Sequence, residues 1–321
     1  MFWKLIRFLV NLLVSAFAFL IMVLLIFDQF VQFRLDDKDL YKLFHEQHLY
    51  PRIGYYHTSG RNIRYITIGN KTDTTASILF IHGAPSSLSY WRGYLSDSTL
   101  RGLARMYAVD RPGYGYSGLA HPVPEIKEQA RMIKPLLDSL GHWHRPVILV
   151  GASYGTAVAC RLAMDYPDEV NGIVLIAPAL APGQEKMFWF TPAIEHPWLR
   201  WFVPRMLQSA NTEKLHHKAE LTKMLPLWKN IRVPVIYLQG SDDGLVYTTN
   251  SDFAKSHLVD VPYLKVEMIP GRGHLIAFAE KKRIEQAILQ MIRMVSVGVT
   301  PDSASGVVRD TANAHVLAFT R

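Results

Sequence analysis

The order of segments along this chain predicts an α/β fold: a mostly parallel sheet with an antiparallel pair at its start, flanking helices and a small helical insertion late in the sequence. Three observations carry that expectation. Short, fully apolar runs ending in glycine, ASILFIHG at 76–83 and PVILVG at 146–151, have the pattern of strands buried on both faces. Stretches with apolar residues at helical spacing fall between such runs, as βαβ units require. About fifty residues rich in Trp, Phe, Pro and Met separate the strand ending near Ala179 from the one starting at Val233, too many for a plain connection. With 321 residues, 49% hydrophobic and 19% charged, the chain can bury one large core and carry appendages.

From the N-terminus, the first element is a membrane anchor. Phe8 to Phe27 is a run of 20 residues without charge, in which only Asn11 and Ser15 are polar. At about 1.5 Å per residue it spans about 30 Å, the thickness of a hydrocarbon core. Ala16-Phe17-Ala18 has the small-residue pattern of a signal cleavage site, but it lies inside the apolar run, which continues past it; an uncleaved anchor is the expectation. Lys4 and Arg7 precede the run, and Arg34, Lys38 and Lys42 follow it, so the cation count is nearly balanced. A short tail carrying two cations and the α-amine is awkward to translocate, which favours the tail inside and the large domain outside. Asn70-Lys71-Thr72 is a glycosylation triplet of a kind common by chance.

Residues 28–50 form a connecting, helical segment. IGYYHTSGRNIRYITIG gives two strands around the Ser59-Gly60 turn. ASILFIHG is the third strand, SYWRGYL a helical stretch and RMYAVD the fourth strand. EIKEQARMIKPLLDSLG is a helix with Gly141 at its end. Strand PVILVG, helix TAVACRLAMDY and strand VNGIVLIAPA follow. After the insertion come strands VPVIYLQG and YLKVEMIP and a final helix from about Ile276 to Met294. The expected divisions are therefore a tail 1–7, anchor 8–27, connector 28–50, a core of 51–180 with 231–296, a helical lid 181–230 and a flexible tail 297–321.

Gly151-Ala152-Ser153-Tyr154-Gly155 raises the chemical question. It matches G-x-S-x-G between a strand and a helix, a sharp turn that leaves no room for bulky neighbours and presents a hydroxyl at the carboxyl edge of the sheet. A serine hydroxyl is a weak nucleophile and needs a base, which in turn needs an orienting acid. His274, in Gly271-Arg272-Gly273-His274 after the last strand, is placed to reach the same edge. The acid belongs after the preceding strand, where Gln239-Gly240-Ser241-Asp242-Asp243-Gly244-Leu245-Val246 offers two. Asp242 and Asp243 compete; the spacing G-x-x-D-x-x-V favours Asp243.

On these residues the chain resembles the α/β-hydrolase superfamily over roughly residues 50–295. Two more motifs add to the resemblance. His82-Gly83-Ala84-Pro85 looks like the family's oxyanion loop, which implies that the amides of Ala84 and Tyr154 hold the developing oxyanion. Asp110-Arg111-Pro112-Gly113-Tyr114-Gly115-Tyr116-Ser117 resembles the D-R-x-G-x-G-x-S loop of the lidded hydrolases. Haloalkane dehalogenases and epoxide hydrolases in this group carry aspartate where this chain has Ser153, and proline iminopeptidases show H-G-G-P-G where it has HGAPS. The resemblance thus implies hydrolysis of an ester or thioester through an acyl-serine, with no cofactor or metal. An amphiphilic ester is the expected substrate, since anchor and aromatic lid both favour one. A peptidase of the iminopeptidase kind and a non-catalytic ligand-binding protein are the alternatives, and the intact Ser, Asp and His argue against the second.

Other residues have plainer readings. The net charge of +8 is dispersed, no nucleic-acid signature accompanies it, and Lys281-Lys282-Arg283 and His216-His217-Lys218 are expected to be solvated helix faces. Cys160 is the single cysteine, so an internal disulfide is excluded and a packed hydrophobe expected. His82 is expected to support its own loop, and His121, His142 and His144 to lie at the surface. Tyr114 and Tyr116 are expected to pack within their loop. One of Trp189, Trp198 and Trp201 is a candidate for lining an acyl pocket.

Overall fold

Only a strand covered on both faces can bury every side chain, and the fully apolar runs do become the middle of a sheet. A computed structural model of the chain describes residues 2–70, 74–141 and 145–297. The expectations for the 297–321 tail (beyond Val297), for His142 and His144 and for most of the Asn70-Lys71-Thr72 triplet lie outside these residues. In chain order the elements are α1 (Phe2–Phe30), α2 (Asp37–His45), β1 (Arg52–Thr58), β2 (Arg61–Ile68), β3 (Ala76–Ile81), α3 (Arg92–Leu95), α4 (Ser98–Leu103), β4 (Ala104–Val109), α5 (Ile126–Gly141), β5 (Val147–Ala152), α6 (Tyr154–Asp165) and β6 (Gly172–Ile176). There follow α7 (Thr191–Ile194), α8 (Pro197–Arg200), α9 (Arg205–Met224), β7 (Val235–Gly240), α10 (Thr249–His257), β8 (Leu264–Ile269), α11 (Ile276–Ala279) and α12 (Lys281–Val297).

The eight strands form one sheet in the order β1-β2-β4-β3-β5-β6-β7-β8. β1 and β2 pair antiparallel, β2 meets β4 antiparallel, and every later pairing is parallel. All residues of β3, β4, β5, β6 and β7 are buried. One face is covered by α5, α6, α10 and the end of α9. The other is covered by α2, the 88–95 turn, α4 and α12. The result is three layers in which the carboxyl ends of the parallel strands share one edge, the place where open α/β sheets hold their ligands.

Two expectations change here. The last two strands are joined by a helix, α10, that the sequence reading lacks; a parallel β7–β8 pair requires such a crossover. The final helix is also two helices, α11 and α12, broken at Glu280, whose carboxylate accepts a hydrogen bond from Arg272 Nε.

α1 is long and apolar enough to cross a membrane, and none of its residues is buried in the protein. Two of its side chains meet the insertion. Near its C-terminal end the Asp28 carboxylate accepts from Arg205 Nε, Nη2 and backbone N at 2.7–2.9 Å. Eleven residues earlier the Phe17 ring stacks on Trp201, centroids 6.5 Å apart. The following residues are tied to the core: Arg34 donates to the Gly115 carbonyl (2.6 Å) and lies over the Tyr116 ring, and Ser87 Oγ donates to the Phe33 carbonyl.

Candidate active site

Ser153 is the turn between β5 and α6, at φ 50° and ψ −125°. A non-glycine residue there is strained by roughly 1–3 kcal/mol, which the packing around it must hold. The glycines of the motif are there for close approach. A Cβ on Gly155 would come within 2.4 Å of the Ile81 carbonyl oxygen, and one on Gly151 within 2.8 Å of that of Gly155. The turn can therefore press against the end of β3, bringing Gly83 so near that a Cβ on it would lie 2.9 Å from Ser153 Cβ.

Ser153 Oγ is 2.9 Å from His274 Nε2, and His274 Nδ1 is 2.8 Å from Asp243 Oδ2. Three loops, after β5, β7 and β8, thus converge on one hydrogen-bonded line. An ionised carboxylate only accepts, so Nδ1 carries the hydrogen and leaves Nε2 free to accept from the serine. Burial pushes the Asp243 carboxyl up, but the His274 hydrogen bond and charge and the N–H groups of Val246 and Leu245 outweigh it and hold it below the usual aspartate range. Asp242, the competing acid, is exposed and accepts from Ser241 Oγ. Such an arrangement can take a proton from the serine hydroxyl onto the imidazole.

Ala84 and Tyr154, the expected oxyanion donors, line the same cavity as Ser153 and His274. What fixes their loops is a buried polar network. His82 Nδ1 donates to the Gly83 carbonyl and its Nε2 accepts from Arg111 N; burial first, then the nearby Arg111 charge, hold it well below the usual histidine range. It is a loop support with no free nitrogen, as expected. Arg111 Nε and Nη2 donate to the His82 and Gly83 carbonyls, and its Nη1 and Nη2 form a bidentate pair with Glu213 on α9. Asp110 accepts from Leu88 N and Tyr116 N, and Gly115, at φ 52°, must be glycine because a Cβ would fall 2.2 Å from the Asp110 carboxyl. The D-R-x-G-x-G-x-S loop is thus the clamp that shapes the neighbouring H-G-A-P loop.

Several residues depart from expectation. Tyr114 does not pack only within its loop: its hydroxyl donates to Glu213 Oε2 at 2.6 Å. Tyr116 lies between Arg34 and Arg64. His217 is buried rather than solvated, bonded to Glu185 and stacked on the Tyr154 ring, although His216 and Lys218 are exposed. Glu213 and Glu185 carry no local sequence signal, because their partners lie up to 102 residues away. His121 is exposed and Cys160 buried, as expected. Among the described residues no group of three or more His, Cys, Asp or Glu side chains is arranged to hold a metal ion.

The cavity over Ser153 has a volume of about 510 Å³. Its floor is the sheet edge; its roof comes from the insertion, with Phe188, Phe190, Ile194, Val203 and Leu207. None of the three tryptophans lines it: Trp189 and Trp198 are 90% and 80% exposed, and Trp201 is half exposed beside Phe17. Phenylalanines take the expected place.

An eight-stranded, mostly parallel sheet flanked by helices, with a serine at the sharp turn after β5 and a histidine and an aspartate aligned with it on the carboxyl edge, has the architecture of the α/β-hydrolase fold. The chain belongs to the alpha/beta hydrolase family, whose model matches residues 78–287. It is 34% identical to a haloalkane dehalogenase of Agrobacterium fabrum over 105 residues, 33% of each chain. It is 27% identical to the monoacylglycerol lipase abhd6-B of Xenopus laevis over 198 residues, 57% of this chain and 56% of that one. The aligned parts therefore span a third to just over half of these relatives' lengths. In fold it is similar to a membrane phospholipase A described as a bacterial virulence factor, with a TM-score of 0.60 and 18% identity, covering 91% of this chain and 99% of that one.

Proposed function

We propose that this protein is a membrane-tethered serine hydrolase that cleaves a carboxylic ester or thioester of a hydrophobic, amphiphilic substrate. The observation that carries the reading is the Ser153–His274–Asp243 line opening into a largely apolar cavity. Ser153 Oγ attacks the acyl carbon while its proton passes to His274 Nε2, and Asp243 stabilises the imidazolium. The carbonyl oxygen becomes an oxyanion in reach of the Ala84 and Tyr154 amides. Collapse expels the alcohol or thiol, which takes the proton from His274 and leaves an acyl-Ser153 ester. Water then attacks that ester, His274 again taking the proton, and the acid departs with the serine hydroxyl restored.

Dehalogenation does not fit this centre. Displacement of a halide by a serine oxygen would give an ether, which has no carbonyl for water to attack and would end turnover. The insertion acts as a lid whose phenylalanines receive the acyl chain. α1 tethers the enzyme, with Lys4 and Arg7 on the cytoplasmic side and the hydrolase domain on the other. Incubating the full-length protein with a fluorophosphonate probe tests the chemistry. Wild type should be labelled and Ser153→Ala should not; equal labelling of both would overturn the assignment.

A further inference from the structure

We propose that the tip of the insertion, residues 187–203, is inserted in the bilayer leaflet nearest the hydrolase core, so that the cavity over Ser153 is fed laterally from lipid rather than from water. This rests on the membrane-tethered reading above and adds to it a second membrane contact.

The geometry of the two contacts with α1 sets the depth. Asp28, paired with Arg205, closes the apolar run, and a charged pair of this kind belongs at the headgroup level. Phe17 lies eleven residues earlier, about 16 Å along the helix axis, and half a hydrocarbon core is about 15 Å. Trp201, stacked on Phe17, is therefore held near mid-bilayer depth whenever α1 spans the membrane. The tip cannot stay in water while that contact persists.

Its surface suits that position. Trp189, Trp198, Leu199, Trp201 and Phe202 are all exposed, and Trp201, edge-on to Phe202 and stacked on Phe17, joins this apolar surface to α1. The two charged side chains of the stretch, Glu195 and Arg200, find partners within the protein. Glu195 accepts from Asn211 and Thr212 and pairs with Arg200, whose Nε donates to Gln208. His196 is the exposed exception. Lipid offers no hydrogen bonds, so a surface that inserts must pair its polar groups within itself; a water-facing tip of this composition would have no such need.

Lateral feeding follows from the wall thickness. Phe188 and Phe190 line the cavity, while Trp189 between them is exposed and meets the edge of Phe190. Phe190 is itself partly exposed. One layer of side chains thus separates the cavity from the apolar outer face, and an acyl chain entering there never crosses water.

The test uses the full-length chain in phospholipid vesicles, with a single environment-sensitive fluorophore on an introduced cysteine, Cys160 being buried. Three variants are compared: Trp198→Cys at the tip, Leu13→Cys in α1 and Thr222→Cys at the exposed far end of α9. The expected result is blue-shifted emission, quenched severalfold by nitroxides on lipid acyl chains, at 13 and 198, with neither effect at 222. Quenching at 13 with aqueous emission at 198 overturns the insertion and leaves the tether standing. Aqueous emission at both overturns both. Blue-shifted but unquenched emission at 198 means protein covers the face, a second copy of this chain being the simplest occupant, and overturns the proposal as well.

Discussion

The sheet edge and the insertion use the same kinds of residue in opposite ways. Trp91, at the edge of the core, is fully buried among Phe80, Tyr90 and Tyr94. Trp198, in the insertion, has the same side chain almost wholly in the open. The polar groups differ likewise. Around Ser153 they are buried and linked across long stretches of chain; at the tip of the insertion they are paired over short stretches, leaving the apolar surface outside. One region is built to fix geometry and the other to meet something apolar. The two are joined through the Arg111–Glu213 pair, which runs from the H-G-A-P loop to α9.

The sharpest way to break that contrast is at the serine. Ser153→Ala should abolish probe labelling and lower ester turnover by roughly 10⁶, as loss of a triad serine does, with thermal stability unchanged or raised because the replacement removes only a hydroxyl. Asp243→Asn should cost roughly 10⁴ in kcat, and Asp242→Asn should stay near wild type; the reverse order would move the acid to Asp242. Since the folded Asp243 carboxyl is depressed below its unfolded value of about 3.9, its contribution to stability is complete above that pH. It is lost as pH falls through the lower folded value. Wild type should therefore show a loss in thermal unfolding temperature below about pH 4 that Asp243→Asn lacks.

A smaller effect is expected where the two regions meet. Glu213→Gln leaves Arg111 charged, buried and short of its partner, a change that costs about 3–5 kcal/mol in comparable buried pairs. The melting temperature should fall accordingly. Because Arg111 holds the His82 and Gly83 carbonyls, kcat should fall with little change in KM. A variant with intact kcat would separate the insertion from the H-G-A-P loop and leave Glu213 a purely structural residue.

The difference between the regions also explains what could be read from sequence. Strands buried on both faces and the small residues around Ser153 are local demands, written in consecutive positions. His274 and Asp243 follow from the order of strands. α10 has no clear sequence pattern because its buried positions include Asn250 and Ser251, which break the apolar period. Asn250 is a staple, accepting from Leu180 N and Ala181 N and donating to the Gln184 and Tyr247 carbonyls. Glu213 and His217 look like solvated helix residues until the fold supplies partners from distant loops. The tryptophans are ambiguous for a different reason: an aromatic residue needs an apolar neighbour, and sequence does not say whether the neighbour is protein or lipid.

The smallest expected effect tests that last point most directly. Trp91→Ala empties a filled site in the core and should cost about 3–5 kcal/mol. Trp198→Ala removes a side chain with few protein neighbours, and its effect on stability in detergent or on short-chain ester turnover should lie within about 0.5 kcal/mol. Against an ester dissolved in vesicles the two assays should part. Trp198 then loses apolar contact with the substrate's own phase, and turnover should fall severalfold while turnover of a water-soluble ester holds. Equal effects in both assays would mean that Trp198 acts on the protein and not on the lipid, and the insertion would be a packed wall like the sheet edge, differing from it only in how much of it is exposed.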